Sequence, residues 1–364
     1  MRDHTLTRRR ALGRVGAFVA GAVAGSPLPQ GQMAPVPGHQ TDAAPVRLVP
    51  RADLVNTLEY EQQARLKLAP SAYALITGGD RTAFDRITLR PRLLMPVLDM
   101  DLGVTLFGDA LFAPIIVGPI GNQERFHVDA ELATVKGASA AKAVMVVSSH
   151  ATVPLEVLAA QATTPLWYQV FASDEAARTQ IQRAVQAGCK AICVTVGAAP
   201  SAAGARAVAT IAKVDWALVS ALKRGVSVPV LVKGIATPEA AQLALQHGAD
   251  GIVVSTYGGL VGSSKDAPIL TLPNIVDAVG GKVPVLVDGS FRRGTDILKA
   301  LALGARSVLV GRPIMWGLSA YGVDGVQGVI EMLQTELARY MGMCGKSNLK
   351  MLDRTVVKVH GEIR

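Results

Sequence analysis

At 364 residues, half of them hydrophobic and 18% charged, the chain is too apolar to be disordered and is long enough for one barrel with extensions or for two smaller domains. Aromatics at 4% beside 36 glycines disfavour an aromatic-rich sandwich and suit parallel strands under small-residue helices. The net charge of +9 does not indicate nucleic acid, because residues 1–24 concentrate five arginines against Asp3 and the remainder has no Lys/Arg stripe interleaved with aromatics.

Arg8, Arg9 and Arg10 precede a weakly hydrophobic run, Val15 to Gly25, in which Ala22, Val23 and Ala24 form a small-x-small cleavage pattern. Residues 1–25 therefore read as an export signal of the twin-arginine type with a periplasmic destination. Their eleven-residue apolar run is too short to span a bilayer, and no later segment reads as a membrane span. Residues 26–50, with six prolines, read as a linker, and residues 51–110 as an N-terminal helical extension. Cys189 and Cys193 lie four apart and Cys344 is remote, which matches neither a disulfide framework nor a zinc or other metal site.

Eight short Val/Ile/Leu runs follow: 113–118, 143–148, 166–171, 191–196, 228–233, 251–255, 283–288 and 307–311. Helical patterns separate most of them; Thr237 to His247, with Pro238 in its first turn and Gly248 as a stop, is the clearest. Strands apolar on both faces alternating with helices predict a parallel sheet, and eight such units over residues 111–345 predict a (β/α)8 TIM barrel closed by a C-terminal helix from Gly325 to Cys344. Residues 346–364 are expected to be a tail. The alternative is an open doubly wound sheet, whose Gly-rich first turn is not matched by Gly118 to Gln123.

The strings beginning at Val228 and Val283, V-P-V-L-V-x-G, differ only in Lys233 against Asp288. An ionisable residue ending an apolar barrel strand points to a site at the carboxyl rim. After the seventh strand come Asp288, Gly289, Ser290, Phe291, Arg292, Arg293 and Gly294, and the eighth runs into Gly311, Arg312 and Pro313. Glycines that let backbone N–H groups approach oxygens, with arginine beside them, predict a phosphate site between these two loops.

From about residue 58 to 355 the chain resembles the FMN-dependent α-hydroxy-acid dehydrogenases and oxidases. The resemblance rests on Phe84 to Ile87 with Arg90 to Arg92, Glu131 to Thr134, Ser148 and Ser149, Gln169, Thr195, Leu231 to Gly234, Gly251 to Ser255, Asp288 with Arg292 to Asp296, Lys299 to Ala305, and Gly311 to Pro313. It implies FMN as cofactor. Gly118, Pro119, Ile120 and Gly121 would lie against the isoalloxazine, and Ser148, Gln169 and Thr195 would bond its polar edge. Lys233 would sit near N1, where a cation favours electron uptake. Asp288 would face the ribityl hydroxyls, while Gly289, Ser290, Arg292, Gly311 and Arg312 would hold the phosphate. Arg292 would also be able to swing toward the reacting centre, and Arg293 is expected to pair with Asp296. The family also implies a small-molecule substrate, dioxygen or a redox partner as electron acceptor, and a homotetramer.

The pattern changes where the family binds its hydroxy acid. The family's sixth strand ends in a base histidine and a carboxylate-clamping arginine; Tyr257 and Leu260 stand there instead. A phenol is a poor base near neutrality and leucine cannot clamp a carboxylate. Phe171 replaces a tyrosine, Gly197 an aspartate, and Tyr73 matches an N-terminal tyrosine only with an offset. The predicted catalytic set is therefore Tyr257 as hydrogen-bond donor to substrate, His150 as replacement acid/base, Lys233 and Arg292, with His127 a weaker candidate. An imidazole is the side chain whose ordinary titration spans neutrality. The expected activity is hydride transfer from a small 2-hydroxy acid or an altered substrate to flavin N5; the alternative is a catalytically silent FMN-binding or electron-carrier protein.

Overall fold

Eight parallel strands close into a barrel in the computed structural model, which describes residues 47–92, 97, 99–172, 175–196, 214–256 and 267–361. The leader and nearly all of the linker expected from the sequence lie outside the described residues. Helices α1 (Thr57–Lys67), α2 (Pro70–Ile76) and α3 (Thr82–Asp85) come first, then β1 (Ile87–Leu89) and a hairpin of β2 (Val104–Leu106) and β3 (Asp109–Leu111). Asn56 caps α1 by accepting from the backbone of Leu58 and Glu59.

The barrel then runs β4 (Ile115–Val117), α4 (Ala130–Ala140), β5 (Met145–Ser148), α5 (Leu155–Gln161), β6 (Leu166–Phe171), α6 (Ala177–Gln186), β7 (Ala191–Thr195) and α7 (Trp216–Lys223). Its second half is β8 (Val230–Ile235), α8 (Pro238–Gln246), β9 (Gly251–Val254), α9 (Pro268–Val279), β10 (Val285–Asp288), α10 (Gly294–Ala302), β11 (Ser307–Val310) and α11 (Arg312–Met343). Neighbouring strands follow the order β4 through β11, and β11 pairs back onto β4 to close the ring. All eight predicted strands are present. The open-sheet alternative fails on the Ile116↔Leu309 register that seals the cylinder.

Strand pleating divides the residues near the carboxyl rim into two sets. Ile116, Val146, Trp167, Cys193, Leu231, Val253, Leu286 and Leu309, one per strand, form an apolar cluster inside the barrel. The next residue outward is valine in seven strands and Tyr168 in β6, all buried in the outer core under the helices. Two residues beyond the inner cluster stand Gly118, Ser148, Gln169, Thr195, Lys233, Ser255, Asp288 and Gly311. The β2–β3 hairpin covers the opposite mouth, its Phe107 ring edge-on to Trp167 at 5.6 Å.

The carboxyl terminus departs from expectation in two ways. The long helix α11 begins at Arg312 and is broken at Gly322 (φ 60°, ψ −132°), so the predicted closing helix is its second arm. The expected tail contains β12 (Val357–Val359), antiparallel to β1, which fastens the end of the chain to the N-terminal extension. The two arms of α11 meet through bare backbone: a Cβ on Gly325 would fall 2.0 Å from the carbonyl oxygen of Gly317.

Replacing Gly325 by alanine is expected to cost about 1–3 kcal/mol through this overlap. Gly342→Ala on the same helix, where the added carbon would meet only Met100 Cε at 3.7 Å, is expected to be neutral or to stabilise by up to about 1 kcal/mol. Urea unfolding of the two variants checks the contrast; equal stabilities would contradict it.

Candidate functional site

The inward rim residues form a hydrogen-bonded arc. Ser148 Oγ donates to Gln169 Oε1 at 3.1 Å, and Gln169 Nε2 donates to Thr195 Oγ1 at 3.0 Å. Further round, Lys233 Nζ lies 2.7 Å from Asp288 Oδ2 and donates to Ser255 Oγ at 2.9 Å. The near-identical strands β8 and β10 flank β9, so their one sequence difference becomes an ion pair across it. Lys233 is 6% exposed, and the other carboxylate oxygen, Asp288 Oδ1, is buried without a hydrogen-bond partner. A buried acceptor left open is costly unless a donor arrives, and a ligand hydroxyl is such a donor. Ser255 was not singled out from sequence; its position two residues after Val253 on the inner face is the signal that finds it.

The loops after β4, β5 and β11 are packed together. A Cβ on Gly121 would fall 2.7 Å from both the Cβ and the carbonyl oxygen of His150, and that carbonyl accepts from Asn122 N. Ile120 Cδ1 is the nearest neighbour of a Cβ built on Gly311, at 3.4 Å. Glu131, fully buried, holds the Gly118–Gly121 loop by accepting from the backbone of Gln123 and, with its other oxygen, Val153. The half-buried His150 ring stands 5.2 Å from that of Phe171, so the candidate base and the tyrosine replacement share one side of the rim. Tyr257 and Leu260 lie outside the described residues, as does Gly197.

At the other side, β10 ends in Asp288 and the chain turns through Gly289 (φ 108°) and Ser290 (φ 58°). Gly311 precedes the first turn of α11, whose dipole favours an anion. Arg292 lies over the Trp316 ring at 4.7 Å and donates to the carbonyls of Phe291 and Gly78, and Arg312 donates to the same Gly78 oxygen. Burial, with the nearby Arg312 charge, pushes the Arg292 guanidinium down to about 9. Two arginines meeting at one neutral carbonyl are a donor set for a dianion such as a phosphate monoester. Together with the open Asp288 oxygen and the Ser148–Gln169–Thr195 chain, the residues present fit FMN.

Several sequence expectations are redistributed. Arg293 does not pair with Asp296: its Nε binds Glu336 at 2.8 Å, while Asp296 accepts from the backbone of Arg292 and Arg293 and from Arg81. Asp296 is the third residue of α10 and reaches back to the helix start, which engages the Arg293 backbone and sends its side chain to α11. His127 packs against the Gly322 break, with Nδ1 accepting from Asp129 N, and burial lowers its pKa. Tyr73 donates to Glu61 on α1. Burial raises the Cys193 thiol, beneath the Lys233–Asp288 pair, to about 12, so it is no nucleophile.

Comparison with known proteins gives concordant results. The family model for FMN-dependent dehydrogenases matches residues 77–210 and 197–359. A peroxisomal (S)-2-hydroxy-acid oxidase of Oryza sativa subsp. japonica is 34% identical over 354 residues, covering 85% of this chain and 97% of its own length. The 2-hydroxyacid oxidase 1 of Mus musculus is 36% identical over 363 residues, covering 85% and 98%. A crystal structure of mandelate oxidase superposes with a TM-score of 0.77 at 34% identity, over 84% of this chain and 99% of that one. Several relatives are peroxisomal by name, which overturns the periplasmic, twin-arginine assignment. Paired arginines before eleven weakly apolar residues are a composition-level signal and specify no single destination.

Lys233→Met leaves the Asp288 carboxylate buried without its ammonium partner and is expected to cost about 3–5 kcal/mol of stability. Adding Asp288→Asn removes the orphaned charge, so the double variant is expected to be more stable than Lys233→Met alone. Chemical denaturation checks this, and additive losses would contradict the pairing.

Proposed function

The chain belongs to the FMN-dependent dehydrogenase family, and from that premise we propose how its residues divide the work of oxidising a small 2-hydroxy acid or a close variant of one. It is an FMN-dependent hydride-transfer oxidoreductase, as its relationship to the 2-hydroxy-acid oxidases shows. The chemistry FMN supplies when bound is acceptance of a hydride at N5. The observation that carries the division of labour is the rim itself: a neutral hydrogen-bonding arc of Ser148, Gln169 and Thr195 faces the Lys233–Asp288 pair across one barrel mouth.

In this reading the arc and Lys233 hold the polar edge of the ring, with Gly118 to Gly121 against its face. Asp288 receives ribityl hydroxyls on its open oxygen, and Gly289, Ser290, Arg292, Gly311 and Arg312 hold the phosphate. The ammonium also supplies positive charge where negative charge develops, at a site dry enough for that charge to act. His150, beside Phe171 and fixed by the Gly121 contact, takes the substrate hydroxyl proton in place of the family's histidine. Tyr257 is assigned from its sequence position as a donor to substrate. The absence of an arginine at position 260 favours a substrate whose carboxylate is held elsewhere or is masked. Electrons leave to dioxygen or a redox partner, in a homotetramer.

Anaerobic mixing of the FMN-loaded protein with a panel of 2-hydroxy acids and their esters or amides tests this. Bleaching of the flavin absorbance by at least one member is expected, and His150→Ala is expected to slow it by about a hundredfold, the usual contribution of a positioned acid/base. An unchanged spectrum with every compound would favour the silent-binder alternative, and an unaltered rate in His150→Ala would remove that residue from the mechanism.

A further inference from the structure

The loop between α2 and α3 reaches the phosphate end of the rim. Gly78 (φ 72°) and Gly79 (φ 103°) both adopt left-handed backbone, which glycine alone takes without strain. The Gly78 carbonyl oxygen accepts from Arg292 Nη2 and from Arg312 Nη1, each at 3.0 Å. A Cβ on Gly79 would fall 1.8 Å from Arg312 Nη1 and 3.2 Å from Ser290 Oγ. The turn is thus in contact with side chains from both phosphate loops, although it lies more than 200 residues before them in the chain.

The rest of the extension holds the turn in place. Thr57 Oγ1 donates to the carbonyl oxygen of Arg292, Trp316 Nε1 donates to that of Ile76 at 3.0 Å, and Arg81 pairs with Asp296 at 2.9 Å. These bonds tie both sides of the turn to the ends of α10 and α11. A single carbonyl shared by two guanidiniums orients both of them, and being neutral it adds no counter-charge of its own.

We propose that the Gly78–Gly79 turn is a positioning element for the flavin phosphate, holding Arg292 and Arg312 in the direction from which they engage a phosphate monoester. The proposal rests on the placement of FMN described above. It makes the N-terminal extension part of the cofactor site, with Gly79 selected because any side chain there displaces Arg312. Gly79 and Gly78 act through the arginines and are positioning residues.

The test compares FMN with riboflavin, which differ only by the phosphate, binding to the flavin-stripped full chain, followed by quenching of flavin fluorescence. Circular-dichroism melting is recorded alongside. For the unsubstituted chain, tighter binding of FMN than of riboflavin is expected. Gly79→Ala is expected to weaken FMN by about tenfold or more, the worth of one charge-assisted hydrogen bond, and to leave riboflavin within about twofold. Arg312→Gln is expected to show the same selectivity, and Gly79→Ala added to it is expected to weaken FMN by no more than about twofold further. Equal losses for both flavins, or an FMN affinity that Gly79→Ala does not change, would overturn the proposal. If Gly79→Ala does not fold, an unaltered FMN-to-riboflavin ratio in Arg312→Gln overturns it. An unsubstituted chain that binds both flavins equally would refute the underlying phosphate placement, a result distinct from failure of the turn alone.

Discussion

The two-residue alternation of a β-strand, repeated in eight strands that share one closed ring, is the constraint on which this site depends. It sends seven valines and Tyr168 outward against the helices and leaves Gly118, Ser148, Gln169, Thr195, Lys233, Ser255, Asp288 and Gly311 on the inner face of the carboxyl rim. A slip of one residue in β5, β7, β8, β9 or β10 would bury a polar group under a helix and turn a valine into the mouth. The apolar layer beneath the rim, from Ile116 to Leu309, forms a dry floor on which the charged pair sits. Fold and site are therefore set by the same register.

Charge is arranged asymmetrically on that floor. At the centre, one ammonium and one carboxylate satisfy each other while Asp288 keeps an oxygen open. At the edge, Arg292 and Arg312 both donate to the Gly78 carbonyl. A ligand with hydroxyls in its middle and a dianion at its end complements this arrangement. The N-terminal extension closes that edge, held by Thr57, Arg81 and the indole of Trp316, and β12 locks the extension to the end of the chain through β1.

Most of this was legible in the sequence because strands buried on both faces announce themselves as Val/Ile/Leu runs, and the duplicated V-P-V-L-V string exposed Lys233 and Asp288 by their difference. Arg293 was misassigned because sequence distance favours Asp296, whereas a helix start consumes that carboxylate with backbone donors and frees the side chain for Glu336. Ser255, the last residue of a predicted strand, was given no role because a serine there is ordinary until the inner-face register is counted. The Gly78–Gly79 turn was invisible because its partners are Arg292 and Arg312, and no local pattern encodes a contact across so many residues. The tail strand β12 was lost for the same reason: its three residues pair only with β1.

The departures from the family pattern at Tyr257, Leu260 and Phe171 concern residues proposed to meet the substrate, whereas the residues proposed to hold the cofactor keep a chemistry suited to flavin. A crystal structure of the chain grown with FMN tests the account most directly. It predicts the tricyclic ring across the mouth beside Lys233 and Gln169, with the phosphate between Ser290 and Arg312; a mouth closed by side chains, or flavin bound outside the rim, would contradict it.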